Sequence, residues 1–175
     1  DAADELLEHE GAEAFTTTRI AQAAGVSVGT VYRFFPDKAT IVEALAVRYW
    51  SDFDDLVAGV AEADAMEPLQ DPTGAVLETL VAGFRARPGF LALWYGGLRT
   101  EEVRDATRQA RTAIAGSIEQ IFAVHWPLAA PEARQIAAAM VVLAGDGLLR
   151  EAFRRQADGD QALLAEAKLM LEAYI

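Results

Sequence analysis

Cysteine is absent from the 175 residues, which removes disulfide frameworks and thiolate metal sites together. Histidine occurs twice, at His9 and His125, too far apart in sequence to suggest an imidazole metal cluster. Although 53% of the residues are hydrophobic, no apolar run approaches the roughly 18–20 residues of a membrane span. Strand-like alternation of β-branched and aromatic residues is also missing. So are a Gly-x-Ser-x-Gly elbow, a phosphate-cradling loop and a dinucleotide fingerprint. Asp158-Gly159-Asp160 lacks the other ligands of a calcium loop. The expectation is a protein that is not an enzyme and carries no metal or cofactor. With no signal-peptide pattern and no cysteine, a reducing cytoplasm is the expected compartment.

What is present is helix-forming sequence: Ala, Leu, Glu and Arg with sparse punctuation. The fold class expected is all-α, with a three-helix head over residues 1–45 and a body of roughly six helices over 46–175. Helix one runs from the first residue, buries Ala3, Leu6 and Leu7, and stops at Gly11. Thr16 and Thr17 offer caps for a helix from Thr18 to Ala24, and Ser27 caps another that ends near Phe35, before Pro36. Asp37 caps a long helix to about Ala63, and Asp71-Pro72 opens the next. Pro88-Gly89 and Gly96-Gly97 bracket a short apolar helix, Phe90 to Tyr95. Further helices run from about Thr100 to Trp126, onward from Pro131, and after Asp158-Gly159-Asp160.

The stretch from Thr17 to Pro36 has the spacing of a helix-turn-helix, two short helices crossing steeply. Ala21 supplies the small residue at the crossing and Gly25 the backbone freedom of the turn. Ile20, Ala24, Val26, Val31 and Phe34 fall on the side that packs against the remaining helix. Thr18, Ser27, Val28, Gly29, Thr30 and Arg33 are left pointing outward. The net charge of −12 argues against nucleic acid globally, but affinity for a duplex depends on local cations. Residues 16–50 carry Arg19, Arg33, Lys38 and Arg48 against Asp37 and Glu43, a locally basic segment in an acidic chain.

Glu10-Gly11-Ala12, Phe15-Thr16-Thr17, Ile20-Ala21, Ala24-Gly25-Val26-Ser27, Gly29-Thr30-Val31-Tyr32, Phe35 and Lys38 together resemble the N-terminal domain of the TetR (tetracycline-repressor-like) family of one-component regulators. The resemblance covers residues 2–45. It implies a transcription repressor that binds a palindromic double-stranded DNA operator as a homodimer and releases it when a small-molecule effector enters the C-terminal domain. It places Thr17, Tyr32 and Lys38 on phosphates, and Thr18, Ser27, Val28, Gly29, Thr30 and Arg33 on bases or adjacent backbone. Gly29 would let the helix lie deep in the major groove. Arg33 could hold a phosphate or take a guanine bidentately; Arg19 could touch the DNA backbone or be a solvated helix charge. Family members usually begin with a basic arm and an earlier turn of helix one. The chain starts after both, and the expectation is that these residues exist and are disordered.

One such head specifies too few base pairs alone, so two at a half-site spacing of about 34–36 Å are expected. Met140, Leu143, Gly147, Leu148, Leu163, Leu171 and Tyr174 on the last two helices could form the dimer seam as a four-helix bundle, or an intramolecular core face. Phe90, Trp94, Tyr95, Phe122 and Asp146 are the candidate effector-binding residues. At helical spacing such aromatics are more often plain core than ligand lining, and Asp146 reads as a buried anchor or a seam residue. The alternative for the whole chain is a helical dimeric interaction module without DNA binding.

Overall fold

The computed structural model describes residues 1–95 and 100–174, with the side chains of Trp94 and Tyr95 outside the description. Among the described residues all regular structure is helical. The helices are α1 (Ala2–Ala14), α2 (Thr17–Ala23), α3 (Val28–Phe34), α4 (Lys38–Met66), α5 (Pro72–Ala86), α6 (Pro88–Tyr95), α7 (Glu101–His125), α8 (Pro131–Arg155) and α9 (Gln161–Tyr174). Gly11, at φ 74°, breaks α1 as its sequence suggests, but helical turns resume and continue to Ala14. Pro88 does not separate α5 from α6. It is the first residue of α6, where a missing N–H removes no helical hydrogen bond. The closure of α6 by Gly96-Gly97 lies outside the described residues.

By compactness the chain forms two units, Asp1–Trp50 with Ala86–Arg108, and Ser51–Arg85 with Gln109–Ile175. This partition differs from the sequence-based one because α1 packs on α6 as well as on α2.

In the first unit, the core is built where α1, α4 and α6 meet. Tyr49 and Phe90 are fully buried. Their rings lie edge to face at 5.7 Å, and Trp50 meets Phe90 edge-on at 5.3 Å. Both polar tips are satisfied, as buried aromatics require. The Tyr49 hydroxyl donates to Asp4 Oδ1, and Trp50 Nε1 donates to Thr107 Oγ1 at 3.1 Å. Burial, then the bond to Asp4, pushes the Tyr49 hydroxyl above its ordinary pKa. Arg48 closes the cluster at 2.5 Å from Asp4 Oδ2.

In the second unit, Phe84 sits between Phe53 at 5.0 Å and Phe153 at 5.1 Å, joining α5 to α4 and α8. Gly83 makes this approach possible. A Cβ there would stand 2.8 Å from Phe53 Cε1 and 2.9 Å from Leu56 Cδ1. Asp71 caps α5 through the Gly74 amide at 2.7 Å and pairs with Lys168 of α9. Arg85 donates through Nε and Nη2 to the Asp158 carbonyl at 3.0 and 2.9 Å. Asp64, fully buried near the end of α4, accepts the Leu69 amide at 2.8 Å and bonds His125 Nε2 at 2.9 Å. His125 is thereby a satisfied side chain.

Gly83→Ala should destabilise the chain. Overpacking costs about 1–3 kcal/mol, and the helix propensity gained by alanine offsets only about 1 kcal/mol. A lower midpoint in urea unfolding, without a changed slope, is the expected result.

Candidate functional site

The head is set by caps and one turn. Thr16 Oγ1 accepts from the Arg19 amide at 3.2 Å and starts α2. Gly25, at φ 67°, carries the turn in a left-handed conformation that suits glycine. The Val26 amide then donates back to the Ala21 carbonyl at 3.0 Å. Ser27 Oγ accepts from the Thr30 amide at 3.1 Å and starts α3. Ala21 is 1% exposed and Ile20 and Val31 are buried, so small and apolar residues hold the crossing as expected.

Around that crossing the polar candidates gather on the outer side of α2 and α3. Ser27, Gly29, Tyr32 and Arg33 are exposed, while Val28 and Thr30 are half-buried. Thr17 Oγ1 and Tyr32 OH are 3.2 Å apart, so two hydroxyls from different helices converge. Such a pair offers donors to one phosphate. Thr18 is exposed beside them. Ser27 Oγ and Thr30 Oγ1 lie 2.9 Å apart, which fixes both hydroxyls at the start of α3. The Arg33 guanidinium stands 4.9 Å over the Phe34 ring, and Lys38 Nζ stands 5.6 Å over the Phe15 ring. Asp37 Oδ1 accepts the Thr40 amide at 2.8 Å, which caps α4 directly before Lys38.

Two features were not legible in the sequence. Ala24, Val26 and Phe34 were expected to pack against the remaining helix, but all three are exposed, Phe34 by 65%. They line an apolar recess of about 500 Å³ together with Ala2, Ala3, Ile41 and Leu45. The second feature is electrostatic. Arg19 reaches Glu10 at 2.5 Å and Gln22 at 3.2 Å, and Arg48 is taken by Asp1 and Asp4. Among the described residues, the cations of 16–50 without an ion pair are Arg33 and Lys38. The Glu10 carboxyl, hydrogen-bonded by Arg19, is held below its ordinary pKa. Glu10 is nine residues from Arg19 on a different helix, so only the packing of α1 on α2 reveals the pair.

The candidate effector residues are divided between the two units. Phe90 belongs to the first unit and is core between Tyr49 and Trp50. Phe122 and Asp146 belong to the second unit. Phe122 is buried against Trp126, ring centroids 5.3 Å apart, and the side chains of Trp94 and Tyr95 lie outside the described residues. Asp146 is a buried anchor: its side chain is 8% exposed and holds Arg111 and Arg150. Among the described residues, buried side-chain atoms without a hydrogen-bond partner are Asp54 Oδ1, Asp64 Oδ2 and Arg111 Nε. Burial, then the Asp55 charge, raises the Asp54 pKa. Among the expected seam residues, Met140, Leu143, Gly147 and Tyr174 are exposed and Leu148 and Leu163 half-buried. Leu171 is a correction: it is 5% exposed, on the side of α9 that carries buried Leu164 and Ala167. Ile136, Leu169 and Met170, which were not among the expected seam residues, are also exposed on α8 and α9.

A steep two-helix crossing with a bare α3 face, followed by a helical body, defines the helix-turn-helix regulators. Residues 1–45 match the family model for bacterial regulatory proteins of the tetR family, and residues 67–175 match that for the tetracyclin repressor-like C-terminal domain. The chain belongs to the TetR family. A TetR-family transcriptional regulator from Streptomyces coelicolor is 28% identical, with a TM-score of 0.70 over 99% of this chain and 93% of that one. A putative TetR-family regulator from Mesorhizobium loti, 18% identical, shares the fold at a TM-score of 0.74 over 99% and 91%. The nucleoid occlusion factor SlmA of Vibrio cholerae is 31% identical over 130 residues, 67% of this chain and 61% of that protein. For SlmA of Glaesserella parasuis the match is 31% over 91 residues, 52% and 44%. The chain thus spans about half the length of the curated relatives it matches.

Because the Thr40 amide, then its hydroxyl, hold the Asp37 carboxyl below its ordinary pKa, the stabilisation by Asp37 is present above the unfolded-state pKa. It is lost as pH falls through the folded value. Asp37→Asn keeps an acceptor for the Thr40 amide but removes the titration. Its thermal midpoint should therefore fall less steeply than that of the wild type as the buffer is taken into the acid range.

Proposed function

We propose that the chain is a ligand-responsive repressor that binds a palindromic operator as a homodimer in the cytoplasm. The observation that carries this reading is the Thr17–Tyr32 hydroxyl pair beside the open face of α3. That face presents Ser27, Val28, Gly29, Thr30 and Arg33, and Val31 anchors the helix from behind. In this reading Thr17, Tyr32 and Lys38 hold phosphates and fix the register. Ser27, Val28, Gly29 and Thr30 face base edges, with Thr18 at the margin. Arg33, already over Phe34, takes a phosphate. Arg19 serves as an internal ion pair, which is why Glu10 belongs to the account of affinity.

Dimerisation rests on α8 and α9. Ile136, Met140, Leu143 and Gly147 follow helical spacing on one exposed stripe of α8, while Ala138, Val142, Leu149 and Phe153 are buried on the other side. An apolar stripe left bare beside exposed Leu169, Met170 and Tyr174 suits a two-fold four-helix seam. An effector acting on the body would reach the head through α4, one continuous helix from Lys38 to Met66. A coupling of about 1–3 kcal/mol is enough to loosen an operator several-fold or more. With two head cations tied to carboxylates, a dimer that has lost DNA binding is the second reading.

Selection of operator sequences followed by gel shift across a salt series separates these readings. Tyr32→Ala should weaken every sequence, whereas Thr30→Val should change which bases are preferred. Glu10→Gln frees Arg19 and should raise affinity, steepening the salt dependence by about one counter-ion per head. No sequence preference at any salt would leave the interaction-module reading standing. Leu143→Glu should convert the wild-type dimer to monomer in sedimentation, with folded helix content unchanged.

A further inference from the structure

A cation can be held still by a carboxylate, which cancels its charge, or by the face of an aromatic ring, which does not. The first unit uses both. Arg19 lies on Glu10, and Arg48 on Asp1 and Asp4, so each guanidinium is fixed and neutralised together. Arg33 is held the other way, its Cζ standing 4.9 Å from the centroid of the Phe34 ring. Asp37, the carboxylate nearest to it in sequence, is turned instead to the Thr40 amide and hydroxyl at 2.8 and 2.9 Å.

The helix does not impose the contact between Arg33 and Phe34. Adjacent residues of an α-helix project about 100° apart and do not face one another. Arg33 therefore meets the ring by laying its long side chain across the end of α3. Phe34 is the last residue of that helix, and Phe35 leaves it with extended backbone. At 65% exposure the Phe34 ring adds little to the core, although it borders the apolar recess shared with Ala24 and Val26.

Stacking occupies the flat face of a guanidinium. Its N–H donors lie in the plane and stay open, so both the charge and the hydrogen bonds remain free for an anion. Position along α3 says which anion. Base edges are met by the first residues of a recognition helix, whereas Arg33 is in the last turn of α3 and exposed beside Tyr32. A guanidinium pinned there is placed for the sugar–phosphate edge rather than for the floor of a groove.

We propose that Phe34 is a positioning residue for operator binding, whose ring pre-orients the Arg33 guanidinium for a phosphate of the duplex. This rests on the reading of the chain as a DNA-binding regulator. The ring reduces the rotamer freedom that Arg33 has left to lose when it binds. Arg33 then adds affinity on every sequence without choosing among them. Lys38 repeats the device, with Nζ 5.6 Å over the Phe15 ring. Phe15 is fully buried, so Phe34 is the ring that can be varied without disturbing the core.

Fluorescence anisotropy on the full chain across a salt series tests this, with labelled duplexes of about three helical turns as probes. One has random sequence, and the other is the strongest from operator selection. Phe34→Leu keeps an apolar side chain and removes the ring. It should weaken both duplexes about two- to fivefold per head, the scale of an exposed cation–π contact. The slope of log affinity against log salt should not change, because Arg33 still reaches its phosphate. Arg33→Gln should instead reduce that slope by about one per head, and in its background Phe34→Leu should cost nothing more. Phe34→Trp supplies the stronger ring and should bind at least as tightly as the wild type. In the free chain, the Arg33 δ-methylene protons should show an upfield ring-current shift that Phe34→Leu abolishes.

Equal binding by Phe34→Leu and the wild type, or an unshifted Arg33 δ-methylene in the wild type, overturns the assignment. So does an equal loss in the Arg33→Gln background, or a tryptophan variant as weak as the leucine one, since packing over the recess would give both. Should Phe34→Leu fail to fold by circular dichroism, Phe34→Met decides in its place. A wild type that binds neither duplex at any salt fails the regulator reading itself. Wild-type binding without a Phe34 effect fails this proposal alone.

Discussion

Two short helices can cross steeply only if something very small stands between them, and here that is the methyl of Ala21, 1% exposed. The turn that follows returns the Val26 amide to the Ala21 carbonyl, with Gly25 supplying the left-handed step. The consequences run outward from this contact. The axis of α3 is fixed, so Val31 points inward and Ser27, Gly29 and Arg33 outward. Tyr32 is brought over Thr17. A larger residue at position 21 would separate the helices, and the hydroxyl pair would come apart before any base-reading residue was altered.

Charge is arranged with similar economy. The chain carries a formal −12, yet its carboxylates do more than solvate. Glu10, Asp1 and Asp4 take up Arg19 and Arg48 within the first unit. Asp37 satisfies the start of α4. Much of the positive charge that a count of residues assigns to the head is thus internal. The remaining cations, Arg33 and Lys38, rest against aromatic faces, which hold them in place while leaving the charge available. The same logic recurs in the second unit, where Asp146 organises two arginines that α7 and α8 bring in separately.

A TetR-family chain needs a part that reads DNA and a part that can be biased by something else. The first unit has a bare, polar, locally capped surface. The second has an aromatic core around Phe84, an outward apolar stripe on α8, and a charged group in which Asp146 of α8 holds Arg111 of α7 and Arg150 of α8. That α8 serves two faces follows from its period: positions 136, 140, 143 and 147 share one side, and 138, 142, 149 and 153 another.

Legible in the order of residues alone were the all-helical class, the order and approximate ends of the helices, a threonine cap at Thr16 or Thr17, the caps at Ser27 and Asp37, and the head crossing at Ala21 and Gly25. These are local matters, governed by residues within a turn or two of one another, and one chain of letters contains them. It also marked Asp146 as out of place in an apolar helix, but left open whether it was an anchor or part of a seam. Packing between helices shows that Asp146 holds Arg111 and Arg150, that Leu171 and Phe90 are core, that Ala24, Val26 and Phe34 line a recess, and that Arg19 and Arg48 are taken by carboxylates. Each of those outcomes depends on which side chain from a distant helix arrives opposite, and the periodicity of a single helix holds no information about its neighbour.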